Sequence, residues 1–101
     1  MSKITESARL EDCTVRIPGA CNFNPETVVF AHLDKIRFGK GMGIKSKADD
    51  MDLGAYACSG CHGAIHGVPV GGMAAAEVYT AFLEGCIETI MKLKAKGLVR
   101  L

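Results

Sequence analysis

The stretch that decides the fold is Cys58-Ser59-Gly60-Cys61-His62, which is followed four residues later by His66. Two thiolates three positions apart can hold one edge of a tetrahedral zinc ion, and the histidine directly after them can coordinate a different metal. The same pattern, C-x-x-C-H, is also typical of covalent haem attachment, and the bare C-x-x-C is typical of a redox dithiol. The rest of the chain must distinguish these three interpretations.

The composition indicates a small globular protein whose apolar core gives limited stability by itself. The chain has 101 residues, of which 49% are hydrophobic, and a mean hydropathy of +0.19. At this length we expect one domain over residues 1–101, to which a structural metal would add stability. The net charge of +1 gives no overall argument for a nucleic-acid partner, because such proteins usually carry a visible basic excess.

The five cysteines are better explained by metal binding than by disulfide bonds. Residues 1–6 lack the apolar core of a secretion signal, and no stretch approaches the ~18 apolar residues of a membrane span. We therefore predict a cytoplasmic protein without a membrane segment, in a compartment that keeps thiols reduced. The odd count leaves one cysteine for the core, and Cys86 is the candidate.

Cys13 and Cys21 are the second pair of candidate zinc ligands. Val15 and Ile17 alternate with polar residues, which favours a strand, and Pro18-Gly19 predicts a turn that brings the two cysteines together. The seven residues between them exceed the usual spacing of zinc ligands, so this pair is a weak signal by itself. Together with the C-x-x-C pair it completes a set of four thiolates.

Two strands and a short helix are predicted around the histidines. Residues 27–33 are rich in β-branched and aromatic side chains, which predicts a buried strand ending near His32. The apolar residues 53–57 predict a second strand that leads to the C-x-x-C pair. A short helix after that pair would place His62 and His66 on one face. A single histidine on an apolar strand is more often a satisfied core residue than a catalytic one.

A long loop is predicted over residues 34–52. Its glycines do not match the spacing G-x-x-x-x-G-K-[ST] or G-x-G-x-x-G, so a nucleotide site is not indicated. Loops of this length in a small domain are usually functional. Residues 35–47 of this loop contain five basic residues and no acidic one. The basic residues are Lys35, Arg37, Lys40, Lys45 and Lys47. By default such a run is a solvated surface.

The clearest helix covers residues 73–96. Its apolar residues recur mostly at steps of three and four, lysines occupy its final turns and a glycine follows. The expected core stripe consists of Tyr79, Phe82, Leu83, Cys86, Ile90 and Leu93. A short, weak helix or turn is expected over residues 2–12, with Ile4, Ala8 and Leu10 on its apolar side.

Haem and redox chemistry each leave part of the chain unexplained. Haem attachment normally implies export, and it would leave the other cysteine pair, His32 and His66 without a role. A redox dithiol is usually presented by a βαβ pattern, which this chain lacks. We favour a zinc site, for which the predicted ligands are Cys13, Cys21, Cys58 and Cys61. Four thiolates close the coordination sphere of Zn²⁺, so this metal would be structural.

A family resemblance supports this choice. It is carried by Asp12-Cys13-Thr14-Val15-Arg16-Ile17-Pro18-Gly19-Ala20-Cys21-Asn22, Asn24-Pro25-Glu26-Thr27, Ala31-His32 and Ala57-Cys58-Ser59-Gly60-Cys61-His62. Over residues 13–66 the order of motifs resembles the HNH, or His-Me finger, endonucleases, whose ββα-metal motif often sits in a four-cysteine zinc frame. More closely, the chain resembles the small prophage-encoded YbcO-like family, whose nuclease function is inferred largely from its fold.

The resemblance implies roles for the histidines. His32 matches the general base that activates water, and His62 matches a ligand of a catalytic divalent cation, Mg²⁺ or Mn²⁺. His66 is the candidate for a third histidine position, and enzymes of this kind usually leave a 5′-phosphate and a 3′-hydroxyl. Ala31 stands where many members have an aspartate. Where they have an asparagine, this sequence offers Asp52 or Asp50, and an aspartate there could orient the base or bind the catalytic cation.

Structural roles for the same histidines stay open. His62 could cap the knuckle by hydrogen bonding to a cysteine sulfur, or replace Cys13 as a zinc ligand, and His66 could be a solvated helix residue.

We therefore predict an α+β fold, a small zinc-framed ββα-metal, HNH-like domain with its core in residues 13–66 and a long C-terminal helix. The predicted function is a phage- or prophage-encoded, metal-dependent endonuclease that hydrolyses phosphodiester bonds in DNA. The basic loop residues would then contact backbone phosphates, and the apolar helix would offer a surface for a homodimer. The alternative is a zinc-stabilised module that binds nucleic acid or protein without catalysis.

Overall fold

The structure, a computed structural model, describes residues 3–33 and 53–99. It is a compact α+β arrangement whose elements are α1 (Lys3–Glu6), a 3₁₀ turn (Pro25–Thr27), β1 (Val29–His32), β2 (Gly54–Ala57), α2 (Ser59–Ile65) and α3 (Ala75–Ala95). No helix in these residues is long and apolar enough to cross a membrane. Several predicted site residues lie outside the described residues, namely Lys35, Arg37, Lys40, Lys45, Lys47 and Asp52.

β1 and β2 form an antiparallel pair in which Phe30 lies opposite Tyr56 and His32 lies opposite Gly54. The rings of Phe30 and Tyr56 meet edge to face with 6.3 Å between their centroids. A Cβ atom at Gly54 would lie 2.8 Å from Cε2 of Phe30 and 3.0 Å from the carbonyl carbon of Ala31, so the two strands approach closely only because this position is glycine. The pairing leaves His32 at the end of β1.

The long helix α3 covers β2, as the predicted helix over residues 73–96 anticipates. Phe82, Cys86 and Leu93 are buried against the core, and Cys86 is a free thiol there. The predicted core stripe of this helix also includes Leu83, which is instead 36% exposed. The other buried residues of α3 are Gly85 and Thr89, which an apolar pattern does not reveal.

A buried hydrogen-bond network joins α3 to β2 and to the loop that carries the first cysteine. The hydroxyl of Thr89 accepts the backbone N–H of Tyr56 at 3.1 Å and lies 2.9 Å from the hydroxyl of Thr14. The N–H of Thr14 donates to the carbonyl of Tyr56 at 2.8 Å. A Cβ at Gly85 would lie 3.0 Å from Cγ2 of Val15, so the loop rests directly on the helix. These contacts satisfy the N–H and the carbonyl of Tyr56, in the middle of β2.

The strand predicted around Val15 and Ile17 is wrong. Both side chains are buried, but the backbone turns at Arg16, whose φ is 50°. The N–H groups of Arg16 and Ile17 donate to the sulfurs of Cys13 and Cys61 at 3.4 and 3.3 Å. Hydrogen bonds to sulfur therefore replace the strand ladder that the alternation of side chains suggested.

Within residues 2–12, which are predicted to form a short helix or turn, the helix is brief and is followed by turns. It covers only Lys3–Glu6, and the chain continues as turns in which Ala8 is buried and Leu10 is 71% exposed with a φ of 62°. In contrast, α2 begins earlier than the helix expected after the C-x-x-C pair. Cys58 caps its start, because the Cys58 sulfur accepts the N–H of Cys61.

Candidate metal centre

The sulfur atoms of four cysteines converge on one point. The Sγ atoms of Cys13, Cys21, Cys58 and Cys61 all lie within 4.8 Å of one another. The sulfurs of Cys21 and Cys58 are 3.7 Å apart, and all four cysteines are free of disulfide bonds. A tetrahedral ion with metal–sulfur bonds of about 2.3 Å places its sulfur ligands roughly 3.8 Å apart. The cluster therefore fits one tetrahedral metal ion.

Two similar turns present the sulfurs. In the first, the sulfur of Cys13 accepts the N–H of Arg16 at 3.4 Å, three residues later. In the second, the sulfur of Cys58 accepts the N–H of Cys61 at 3.4 Å, again three residues later. The N–H of Cys58 also donates to Cys13 at 3.4 Å and so joins the turns. Backbone donors aimed at sulfur stabilise thiolates, which are the form that binds a metal.

The loop that carries Cys21 is pressed against the start of α2. A Cβ at Gly60 would overlap the carbonyl oxygen of Ala20 and lie 3.0 Å from its carbonyl carbon, so only glycine permits this approach. Asn22 stabilises the same contact through two hydrogen bonds. Its backbone N–H donates to the sulfur of Cys58 at 3.4 Å, and its side-chain amide nitrogen donates to the hydroxyl of Ser59 at 2.9 Å. The sequence prediction missed both residues. Their signals are the glycine between the two cysteines and the asparagine directly after Cys21.

Hydrogen bonding and burial favour the thiolate of Cys13 but oppose ionisation of Cys61 and Cys21. The Cys61 thiol donates to Cys13, which lowers the pKa of Cys13 to about 4 and raises the pKa of Cys61. Burial raises the pKa of Cys21 to about 11. A divalent cation would remove this conflict, because it favours the thiolate form of every ligand. A tetrahedral set of four sulfurs is the donor set typical of Zn²⁺ or of an iron site.

The three histidines lie on the two elements that flank the cluster. His62 lies on α2 and His66 is the residue that caps its C-terminus, and 4.6 Å separates their ring centroids. Burial, and then the nearby His66, lowers the pKa of His62, whereas His66 itself is exposed at the end of the helix. His32 is half-buried, with its ring centroid 5.0 Å from that of Phe30.

The histidines do not join the four-sulfur cluster. Among residues 3–33 and 53–99, the cysteines form the group of three or more side chains that could share a metal ion. Cys13 belongs to this group, so His62 is not needed as its replacement. The catalytic-cation site predicted from His62, His66 and Asp52 stays a prediction, because Asp52 lies outside the described residues.

Comparison with known proteins connects the chain to phage-associated relatives. Two curated proteins described as "Putative nuclease YbcO", one from Escherichia coli (strain K12) and one from Enterobacteria phage 82, are each 45% identical to it over 62 residues. These alignments cover 61% of this chain and 60% of each relative, less than two thirds of the relatives' length.

A solved structure resembles the whole arrangement. Its title is "Structure of a putative bacteriophage protein from Escherichia coli str. K-12 substr. MG1655", and it is 33% identical with a TM-score of 0.69. The match covers 92% of this chain and 98% of that one. The family model described as "Putative nuclease YbcO" matches residues 2–98. Since that match spans almost the entire sequence, this chain belongs to the YbcO family.

Proposed function

We propose that this protein is a metal-dependent endonuclease, in which a structural zinc frame supports a ββα-metal centre of the HNH type. One observation carries the proposal. Helix α2 begins at the four-sulfur cluster and packs against both strands, so one compact unit holds His32 at the end of β1 and His62 on α2. Membership of a family described as nucleases supports the same activity.

The four cysteines are assigned a structural Zn²⁺. Four thiolates leave no open coordination position, so this ion would support the fold and not touch substrate. Its ligands come from two distant parts of the chain, Cys13 and Cys21 on one loop and Cys58 and Cys61 at the start of α2. The ion would thus fix α2 relative to the loop.

His32 is assigned the role of general base. Its imidazole accepts a proton from a water molecule, and the resulting hydroxide forms a bond to phosphorus while the bond from phosphorus to the 3′ oxygen breaks. The departing 3′ oxygen takes up a proton from solvent water, so the products are a 5′-phosphate and a 3′-hydroxyl. His62 and His66, with Asp52, are assigned to hold Mg²⁺ or Mn²⁺, which when bound would neutralise charge that develops on the phosphate.

The proposed substrate is DNA. The basic residues of the segment 34–52 are assigned to its backbone phosphates, since contacts of that kind position a nucleic acid without reading its sequence. A homodimer through α3 is part of the same proposal. Three apolar side chains one turn apart on that helix, Leu83, Ile87 and Met91, are exposed by 36%, 65% and 60%.

A plasmid-nicking assay with Mg²⁺ or Mn²⁺ tests the activity on wild type and on His32→Ala. Loss of a general base should lower the cleavage rate roughly 10²- to 10⁴-fold. The variant should still fold, because loss of the edge-to-face contact between His32 and Phe30 costs only about 0.5–1.5 kcal/mol. Thr80→Ala is the matched control, since Thr80 is exposed on α3 and donates only to the Ala76 carbonyl of its own helix.

Two results would refute the proposal. Cleavage that persists in His32→Ala at the wild-type rate would exclude His32 as the base. A wild-type protein that holds zinc and binds DNA but cleaves no substrate form would instead support the alternative, a zinc-stabilised binding module.

A further inference from the structure

Two residues beside the metal frame adopt a backbone conformation that side chains disfavour. Arg16 has a φ of 50° and Phe23 has a φ of 55°. The N–H of Arg16 donates to the sulfur of Cys13 at 3.4 Å. Glycine would adopt these turns without strain. Arg16 is explained by its guanidinium group, which donates to the Cys13 carbonyl and pairs with Glu88, but these contacts do not explain why a phenylalanine occupies position 23.

The ring of Phe23 is not used in the core. The residue is 72% exposed, and it borders a cleft of about 420 Å³ that Arg16, Asp12, Glu88 and Lys92 also line. Cavities of this size commonly accommodate a small organic group. The exposed face of an aromatic ring at such a cleft is a stacking surface for another planar ring.

The charges around the cleft favour an uncharged ligand over a phosphate. Arg16 is paired with Glu88 through both of its terminal nitrogens, and Lys92 lies 3.9 Å from a carboxylate oxygen of Glu11. The carboxylate of Asp12 adds a further acceptor. Each cation here already has an acidic partner, so there is no positive excess to attract a phosphate. The cleft instead offers hydrogen-bond donors and acceptors next to an aromatic face.

We propose that this cleft takes one unstacked nucleobase of a single-stranded or branched nucleic acid, an inference that rests on the nucleic-acid substrate proposed above. The base stacks on Phe23, and its polar edge meets the side chains of Arg16 and Glu88. Stacking on an aromatic side chain tolerates every base, because each base has a π face, so the cleft selects unpaired structure and not sequence.

The test measures binding by fluorescence anisotropy, without Mg²⁺ or Mn²⁺, to a labelled single-stranded oligonucleotide and to its duplex. Phe23→Ala should weaken single-strand binding roughly 5- to 100-fold and leave duplex binding unchanged, as expected for the loss of one stacked base. Phe23→Tyr should restore it. Leu10→Ala is the matched control, since Leu10 is 71% exposed with a φ of 62° and does not line the cleft.

An abasic scan separates a base from other ligands. With an oligonucleotide that lacks the base at the contacted position, wild type and Phe23→Ala should bind equally. Equal binding of the two proteins to the intact single strand, or a wild type that binds neither nucleic acid, would overturn the inference. So would a Phe23-dependent interaction with a peptide alone. Failure of the nuclease proposal can be distinguished from failure of this inference. Cleavage is measured on plasmid DNA with a divalent cation present, whereas binding is measured without one.

Discussion

Replacing Gly60 by alanine should break the contact between the Cys21 loop and α2. The new methyl group would overlap the carbonyl oxygen of Ala20 and lie 3.0 Å from its carbonyl carbon, whereas carbon atoms pack best at about 3.5–4.0 Å. The loop must therefore retreat by a sizeable fraction of an ångström. That movement lengthens the bond from Asn22 N–H to the Cys58 sulfur, which is already 3.4 Å.

The expected change in the free energy of unfolding combines two destabilising contributions and one stabilising contribution. Overpacking of a tight contact costs about 1–3 kcal/mol, and the weakened hydrogen bond costs about 1 kcal/mol. Alanine is a better helix former than glycine, which stabilises the folded variant by about 1 kcal/mol. We therefore expect Gly60→Ala to lower the free energy of unfolding by about 2 kcal/mol, which in a chain of this length lowers the melting temperature by roughly 8–16 °C.

The assay is thermal unfolding by circular dichroism at a fixed free zinc concentration, with zinc content measured on the same samples, because bound metal contributes to stability. Gly71→Ala is the control, since a Cβ at Gly71 meets nothing within 4 Å. It should be neutral or stabilising by up to about 1 kcal/mol. If Gly60→Ala has the same melting temperature as the wild type and retains its zinc, the inferred packing of the loop on α2 is wrong.

Two further predictions concern the frame and the buried network. Removal of zinc with a strong chelator should expose four additional thiols to a titrating reagent and lower the melting temperature; unchanged thiol counts would show that no metal protects them. Thr89→Val should lower the free energy of unfolding by about 2 kcal/mol in chemical denaturation, because it leaves the Tyr56 N–H buried without a partner. Thr80→Val, on the exposed face of the same helix, should change it by less than about 0.5 kcal/mol; equal effects of the two substitutions would contradict the network.

The sequence predicted the regular elements better than the turns between them. The long helix was recognisable because its apolar residues repeat, and the structure places it at Ala75–Ala95. The grouping of four cysteines followed from counting ligands, although seven residues separate the first pair. Both signals are patterns of residue type, and such patterns survive without knowledge of tertiary contacts.

What the sequence did not reveal depends on contacts between distant residues. Val15 and Ile17 alternate like a strand, yet sulfur acceptors redirect the backbone between them. Thr89 is polar in sequence and fully buried in the structure, because Thr14 and the backbone of Tyr56 supply its partners. Hydrogen bonds of this kind produce no periodic pattern of residue types in the sequence.

The separation of the cysteines has a consequence for how this family can diverge. Cys21 and Cys58 are 37 residues apart, and a cross-link closing a loop of that length disfavours the unfolded chain by about 4 kcal/mol. Doubling the length of such a loop costs only about 0.6 kcal/mol more. Evolution can therefore lengthen or exchange the connection between β1 and β2 at little thermodynamic cost. A metal ion held by the four cysteines would preserve the architecture while the length of this connection varies.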